Sequence, residues 1–283
     1  MGNSVVSMAM SAMIKSVRLR DLEGASSYAK FLWDRVPVER MMSRLLMMSA
    51  EDGFNVSTME LISRANTQRS RMTAHKYCLL LSKICADPNW YATESGRKYI
   101  RHWRESEIRT YRKRKIRDAI TLLKVLDEAY ENKDEKLLID AFTLGWNKYS
   151  NRTFVEWAYG KAKDDNNMLG IRTCEVFMAN ANSLYYDSNI SGQAVYRVLM
   201  ECGDEQDKVP RASQELHRTL LDVVPFNGNP DDIPSYFLDG IHTVGDDPRF
   251  AGEVRMMASC CNAFEKYGEL NPNQEWSDDV FAK

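Results

Sequence analysis

The chain has 283 residues, of which 44% are hydrophobic and 28% are charged, and its formal net charge is −2. This composition is typical of a soluble globular protein, and the length allows one large helical domain or two smaller ones. No apolar run reaches the roughly 18 residues that a membrane-spanning helix needs, and no signal peptide is recognisable. The six cysteines show no C-x-x-C spacing. We therefore expect a cytoplasmic protein with reduced, mostly buried thiols and no membrane contact.

The first 90 residues predict a series of helices. Apolar residues recur at helical spacing over 8–17, 25–33, 39–50 and 73–85. Pro37 lies between the second and third of these segments, where a proline is tolerated in the first turn of a new helix. Ser57 and Glu60 have the spacing of a capping box, which predicts another helix start there.

The predicted helix over residues 39–50 is apolar on almost every side. Such a helix is typical of a core or of an interface between copies of a chain. Methionine side chains suit both settings, since they fill irregular gaps and adapt to partner surfaces. The residues that would form a homo-oligomer interface are Met41, Met42, Leu45 and Met48. Core packing explains the same pattern, and periodicity alone does not separate the two.

The rest of the chain also predicts helices. A long, charged, helix-compatible run covers residues 95–129, and further helices are predicted over 134–149, 153–163, 170–184, 192–202, 213–224 and 249–267. No stretch alternates convincingly as a strand would, so the predicted class is an all-α multi-helix bundle. Composition and charge change near residues 87–118. We therefore expect a helical domain over 1–90, a basic connecting helix over 91–130 and an acidic helical domain over 131–283, unless the last packs with the first as one unit.

The charge is divided unevenly along the chain. Residues 1–118 hold 22 Lys and Arg against 12 Asp and Glu, whereas residues 119–283 hold 16 against 28. Bulk charge affects association more than it affects the fold. The asymmetry therefore indicates a charged partner, or contact between the two halves.

The strongest concentration of positive charge lies between residues 97 and 117. The candidate nucleic-acid-binding residues are Arg97, Lys98, Arg101, Arg104, Arg109, Arg112, Lys113, Arg114, Lys115 and Arg117, with Trp103 and Tyr111 interleaved, and Tyr99 is a third ring in the segment. Cations that contact phosphates and rings that stack on unpaired bases are the combination that single-strand binders use. Two alternatives remain: docking to the acidic half or another acidic protein, and a solvated helix whose rings face inward.

Catalytic motifs are scarce. No G-x-x-x-x-G-K-[ST] phosphate loop occurs, and none of the four histidines has metal-ligand spacing. Asp239, His242, Asp246 and Asp247 form the best candidate cluster, but acidic loops are far more common as turns and helix caps. We therefore predict a protein that is not an enzyme and has no cofactor or metal.

The N-terminal segment resembles the C-terminal helical region of the replication-associated recombination protein A and Werner-helicase-interacting protein family, clamp-loader-related AAA ATPases. The resemblance covers about residues 8–60, more weakly to 90, and is carried by Lys15-Ser16-Val17-Arg18, Asp21 to Ala25, Tyr28, Leu32, Arg44-Leu45-Leu46, Glu51-Asp52 and Asn55. Leu19-Arg20 stands where the family has Gly-Ser, and Gly53-Phe54 where it has Ile-Gly.

The resemblance implies a clamp-loader collar-like bundle without its ATPase module, and self-association, since the matching region is the family's tetramerisation region. We therefore expect a homo-oligomeric, non-catalytic accessory protein of DNA replication or recombination. Its partner would be single-stranded DNA or a replication protein, as would suit a phage or mobile-element protein. The alternative is a scaffold or virion-associated assembly protein that does not contact nucleic acid.

Overall fold

The structure is a computed structural model that describes residues 5–53, 55–87, 96, 98–99, 102, 118–144, 148–184, 188–201 and 212–234. In these ranges the chain is mainly α-helical. Within these ranges there are twelve α-helices and no strand, which confirms the predicted all-α multi-helix class. None of the helices in these ranges is long and apolar enough to cross a membrane.

The helices are numbered here in chain order. They are α1 (Val5–Arg18), α2 (Leu22–Trp33), α3 (Val38–Met48), α4 (Val56–Thr67), α5 (Ala74–Ala86), α6 (Ala119–Glu131), α7 (Glu135–Leu144), α8 (Lys148–Asp164), α9 (Met168–Ala179), α10 (Ala181–Leu184), α11 (Ser188–Tyr196) and α12 (Gln214–Asp222). A π-helical turn, Ser49–Gly53, continues α3, and a second one, Arg197–Glu201, continues α11.

Helix α4 begins two residues earlier than the predicted capping box. The Asn55 side chain accepts a hydrogen bond from the Thr58 amide at 2.9 Å and is the N-cap. Ser57 and Glu60 instead bind the guanidinium of Arg172 on α9, whose Nε lies 2.8 Å from Glu60 Oε1 and whose second nitrogen lies 3.0 Å from Ser57 Oγ. The predicted capping box was wrong because both of its side chains bind Arg172, which lies 112 residues after Glu60 in the chain.

Two of the predicted helices are interrupted at polar residues that make hydrogen bonds of their own. Asp118 has extended backbone geometry and accepts a hydrogen bond from the Thr121 backbone amide at 2.8 Å, so it is the N-cap of α6 and no single helix covers residues 95–129. Asn180 leaves helical geometry at ψ 32° and separates α9 from α10. Its side-chain Nδ2 donates to Ser63 Oγ at 2.8 Å, which connects this break to α4.

Helices from both halves of the chain share one core. Helix α1 lies against α2, and α2 lies against α5. Helix α9 contacts α4 as well as α8, and α11 contacts α7, α8 and the first π-helical turn. The buried apolar side chains of these helices form a single cluster. The described parts of residues 1–90 and 131–234 therefore pack against each other.

The predicted interface residues of α3 lie inside this core. Met41, Met42 and Leu45 are 0% exposed and Met48 is 1% exposed within a single copy of the chain. Tyr77 of α5 is also buried and donates its hydroxyl to the Met41 carbonyl oxygen at 3.2 Å. These side chains have their partners in the same chain, so in this conformation they cannot also contact a second copy. Burial favours the core interpretation of the pattern over the interface one.

Candidate functional site

The start of the basic segment is attached to the helical body at Lys98. The Lys98 ammonium lies 2.5 Å from Glu135 Oε2 at the beginning of α7, with the lysine side chain half exposed. An exposed pair of this kind contributes little to stability because water screens it. It shows, however, that one cation of the segment faces the acidic half of the chain.

Tyr99 is the second attachment point. Its side chain is completely buried, and its ring lies 5.1 Å from that of Tyr196 on α11. Gly192 makes room for it, because a Cβ there would come within 2.8 Å of the Phe142 ring and 3.1 Å of the Tyr99 hydroxyl oxygen. The Tyr99 ring is therefore part of the core and is not available to stack on bases. For this one ring the structure agrees with the alternative of a solvated helix whose rings face inward.

The remaining candidate nucleic-acid residues lie outside the described part of the chain. They are Arg97, Arg101, Trp103, Arg104, Arg109, Tyr111, Arg112, Lys113, Arg114, Lys115 and Arg117. The loop with Asp239, His242, Asp246 and Asp247 and the helix predicted over 249–267 also lie outside it.

A buried ion cluster joins the end of α1 to the π-helical turn that continues α3. Arg18, at the end of α1, donates from Nε to Asp52 Oδ1 at 2.5 Å and from its terminal nitrogen to Glu51 Oε1 at 2.8 Å. The Asp52 side chain is 0% exposed and that of Arg18 is 8% exposed. Gln193 of α11 adds a bond from Nε2 to the Glu51 carbonyl oxygen at 3.0 Å. The cluster thus connects α1, the first π-helical turn and α11.

Arg20 contacts the backbone of the cluster. Its φ of 63° lies in the left-handed region, which an arginine rarely adopts. Two hydrogen bonds of its guanidinium hold it there, to the Asp52 carbonyl oxygen at 2.7 Å and to the Val17 carbonyl oxygen at 3.1 Å. The turn between α1 and α2 is therefore stabilised by contacts with the π-helical turn, without a glycine.

The electrostatics of the cluster are dominated by burial. Removal of the Asp52 carboxylate from water and, to a smaller extent, repulsion by Glu51 raise its pKa to about 6, against the attraction of Arg18. Its second oxygen, Oδ2, is buried without a hydrogen-bond partner among the described residues. A charge in such a place depends on its counter-ion, because an unpaired buried carboxylate is strongly destabilising. This arrangement supports a structural role, holding helices in register.

Among the described residues, no group of three or more His, Cys, Asp or Glu could hold a metal ion. Cys78, Cys85 and Cys174 are free, and burial raises the pKa of each thiol, to about 12 for Cys85 and Cys174. A thiol with a raised pKa is a poor nucleophile at neutral pH, since the thiolate is the reactive form.

Comparison of the chain with protein families, with curated proteins and with solved structures finds no match.

Proposed function

We propose that this chain is a non-catalytic, all-helical accessory protein of DNA replication or recombination. In this proposal residues 97–117 contact single-stranded DNA or a DNA-bound partner. The observation that carries it is the density of positive charge in that segment: ten Lys and Arg stand against Glu105 and Glu107. The segment begins at a fixed place on the helical body, because Lys98 and Tyr99 are attached to α7 and α11.

The chemistry of the segment suits a flexible polyanion. Arginine and lysine neutralise phosphates and release the counter-ions condensed on them, and Trp103 and Tyr111 offer rings on which unpaired bases stack. The logarithm of the binding constant should therefore fall linearly with the logarithm of the salt concentration. The slope should be about −0.7 for each phosphate of a single strand that is neutralised.

Fluorescence anisotropy with a labelled oligonucleotide at several salt concentrations tests this function. Replacement of Arg112, Lys113, Arg114 and Lys115 with alanine should weaken binding strongly at low salt and reduce the slope by up to about 3, one phosphate contact per side chain. The matched control removes four exposed cations from other surfaces, Arg40, Lys124, Lys136 and Arg152. This control variant has the same net charge as the variant that lacks Arg112, Lys113, Arg114 and Lys115.

The control should bind nearly as the unmodified chain does. Equal affinities for both variants would show that net charge alone attracts DNA. No binding by the unmodified chain at low salt would refute the proposal.

Self-association is part of the proposal and must use a surface other than the buried side chains of α3. Light scattering over a range of concentrations measures it directly. A mass that stays at 32.6 kDa throughout would remove self-association from the proposal.

The second candidate function is a scaffold or virion-associated assembly protein without nucleic-acid contact. The Lys98–Glu135 pair favours it, because it turns one cation of the segment towards the acidic half of the same chain. Assembly that depends on concentration but is unchanged by oligonucleotide would support this candidate over the first.

A further inference from the structure

A segment near the end of the described chain, residues 212–234, docks on α2 and α5 and is called the clasp below. Its helix α12 lies against α5. The ammonium of Lys30 on α2 donates to the carbonyl oxygens of Leu221 at 3.1 Å and Val223 at 2.5 Å. A cation at the C-terminal end of a helix satisfies carbonyls that have no partner within the helix and complements its dipole.

The part of the clasp after α12 lies along α2. The Ser27 hydroxyl donates a hydrogen bond to the Val224 carbonyl oxygen at 2.8 Å. The Phe226 backbone amide donates one to the Ser27 carbonyl oxygen at 3.1 Å. The Phe226 ring lies 5.1 Å from the rings of both Tyr28 and Phe31. The clasp therefore covers an aromatic surface of α2.

Two histidines meet where α12 crosses α5. His75 Nε2 lies 3.1 Å from His217 Nδ1, and both rings are partly buried. At this distance one nitrogen must donate a proton and the other must accept it with its lone pair. The contact can hold one N–H between the rings, but when both imidazoles are charged two N–H groups face each other and the hydrogen bond is lost.

We propose that the His75–His217 pair is a pH-sensitive latch that releases the clasp from α2 and α5 when both imidazoles are protonated. On α5, Lys76 beside His75 is exposed, and its ammonium donates to the Arg71 carbonyl oxygen at 3.0 Å. The charge that faces them from α2 is Lys30, which adds further repulsion. Glu215, Arg218 and Asp222, the other charged groups of α12, are exposed.

The direction of the pH effect follows from the docked state. Burial, then His217 and then Lys30 lower the pKa of His75 below its usual value. The docked pair therefore binds protons less readily than the released one, so docking is strongest above pH about 6.5 and weakens as the pH falls below it. Release takes up protons below this pH, so docking weakens by up to about tenfold per pH unit for each proton taken up.

Hydrogen exchange followed by mass spectrometry tests the latch on the full-length chain. Protection of peptides from residues 212–234, corrected for the intrinsic pH dependence of exchange, should fall as the pH drops below 6.5, by up to about tenfold per pH unit for each proton taken up on release. Peptides from α8, which lies away from the clasp, provide the reference for the rest of the fold. Unchanged protection of the clasp, or equal loss in α8, would overturn the proposal.

A pair that cannot be protonated separates the latch from other effects of acid. The double variant His75→Gln and His217→Asn places amide groups near the positions of the two ring nitrogens and should keep the clasp docked both above and below pH 6.5. In a second variant, Lys30→Met, the clasp should be less protected at every pH but should keep most of its pH dependence, since both imidazoles remain and Lys30 is the smallest of the three causes that lower the pKa of His75. A pH dependence that survives in the double variant, or disappears in Lys30→Met, would refute the assignment.

Discussion

Replacement of Arg18 with methionine tests the buried ion cluster most directly. The guanidinium of Arg18 lies 2.5 Å from Asp52 and 2.8 Å from Glu51. Methionine keeps most of the apolar stem and removes the charge, so the change isolates the electrostatic contribution from packing. The fully buried Asp52 would then be left without its main counter-ion.

The expected loss of stability is about 3–5 kcal/mol at pH 7, the range for removal of one partner of a buried ion pair. The Asp52 side chain is 0% exposed, so water cannot replace the arginine without rearrangement of the π-helical turn. Since domains are typically stable by about 5–15 kcal/mol, this variant should lose a large part of its free energy of unfolding.

Urea unfolding followed by circular dichroism measures the effect, and a double-mutant cycle with Asp52→Asn assigns it. The double variant has no buried carboxylate at position 52 and should be more stable than the sum of the two single losses predicts. Additive losses, or a loss below about 1 kcal/mol for Arg18→Met, would refute the argument that burial makes Asp52 depend on Arg18.

The pH dependence provides an independent check. Burial already raises the pKa of Asp52 to about 6, and removal of Arg18 takes away the attraction that opposes this rise. The Asp52 carboxyl of the folded variant should therefore take up its proton at a higher pH than that of the unmodified folded chain, whereas in both unfolded chains its pKa is about 3.9. The stability of the variant relative to the unmodified chain should therefore improve as the pH falls from 7 to 5.

Two further substitutions test the core and a helix start by the same urea assay. Leu45→Ala should destabilise the chain by about 2–5 kcal/mol because Leu45 is completely buried, whereas Ile120→Ala, at a position 66% exposed, should change stability by no more than about 0.5 kcal/mol. Similar losses for both would contradict the burial of α3. Asn55→Ala should cost about 0.5–2 kcal/mol through loss of the bond to the Thr58 amide, and Asn55→Ser should retain most of it. An alanine variant as stable as the serine variant would show that Asn55 is not the cap.

Helix positions were well predicted where the signal is local. The segments predicted over 8–17 and 25–33 lie on α-helices, that over 39–50 lies on α3 and its π-helical turn, and that over 73–85 lies on α5 with Thr73 as its N-cap. These signals are local, because apolar residues that recur at each helical turn are close together in the chain. The errors occurred at helix ends. Asn55 rather than Ser57 caps α4, since several polar residues near a helix start can cap it and tertiary contacts decide which side chain is free to do so.

The candidate sites were less predictable than the helices. The pairing of Arg18 with Asp52 spans 34 residues, and that of His75 with His217 spans 142. Neither leaves a spacing motif, because partners so far apart in the chain meet only when helices pack. Tyr99 was recognised as one ring of the basic segment, and only its burial against Tyr196 shows that it belongs to the core.

The sequence by itself determined the helical class, the places where most helices lie and the charge difference between the two halves, since composition and short-range periodicity encode all three. The tertiary structure decided which apolar faces are used inside one chain. It placed Met41, Met42 and Met48 of α3 in the core, brought Lys98 to Glu135 and docked the clasp on α2. The physical reason is that burial and ion pairing depend on which distant surfaces meet, and a local pattern is the same whether its partner is in the same chain or in another.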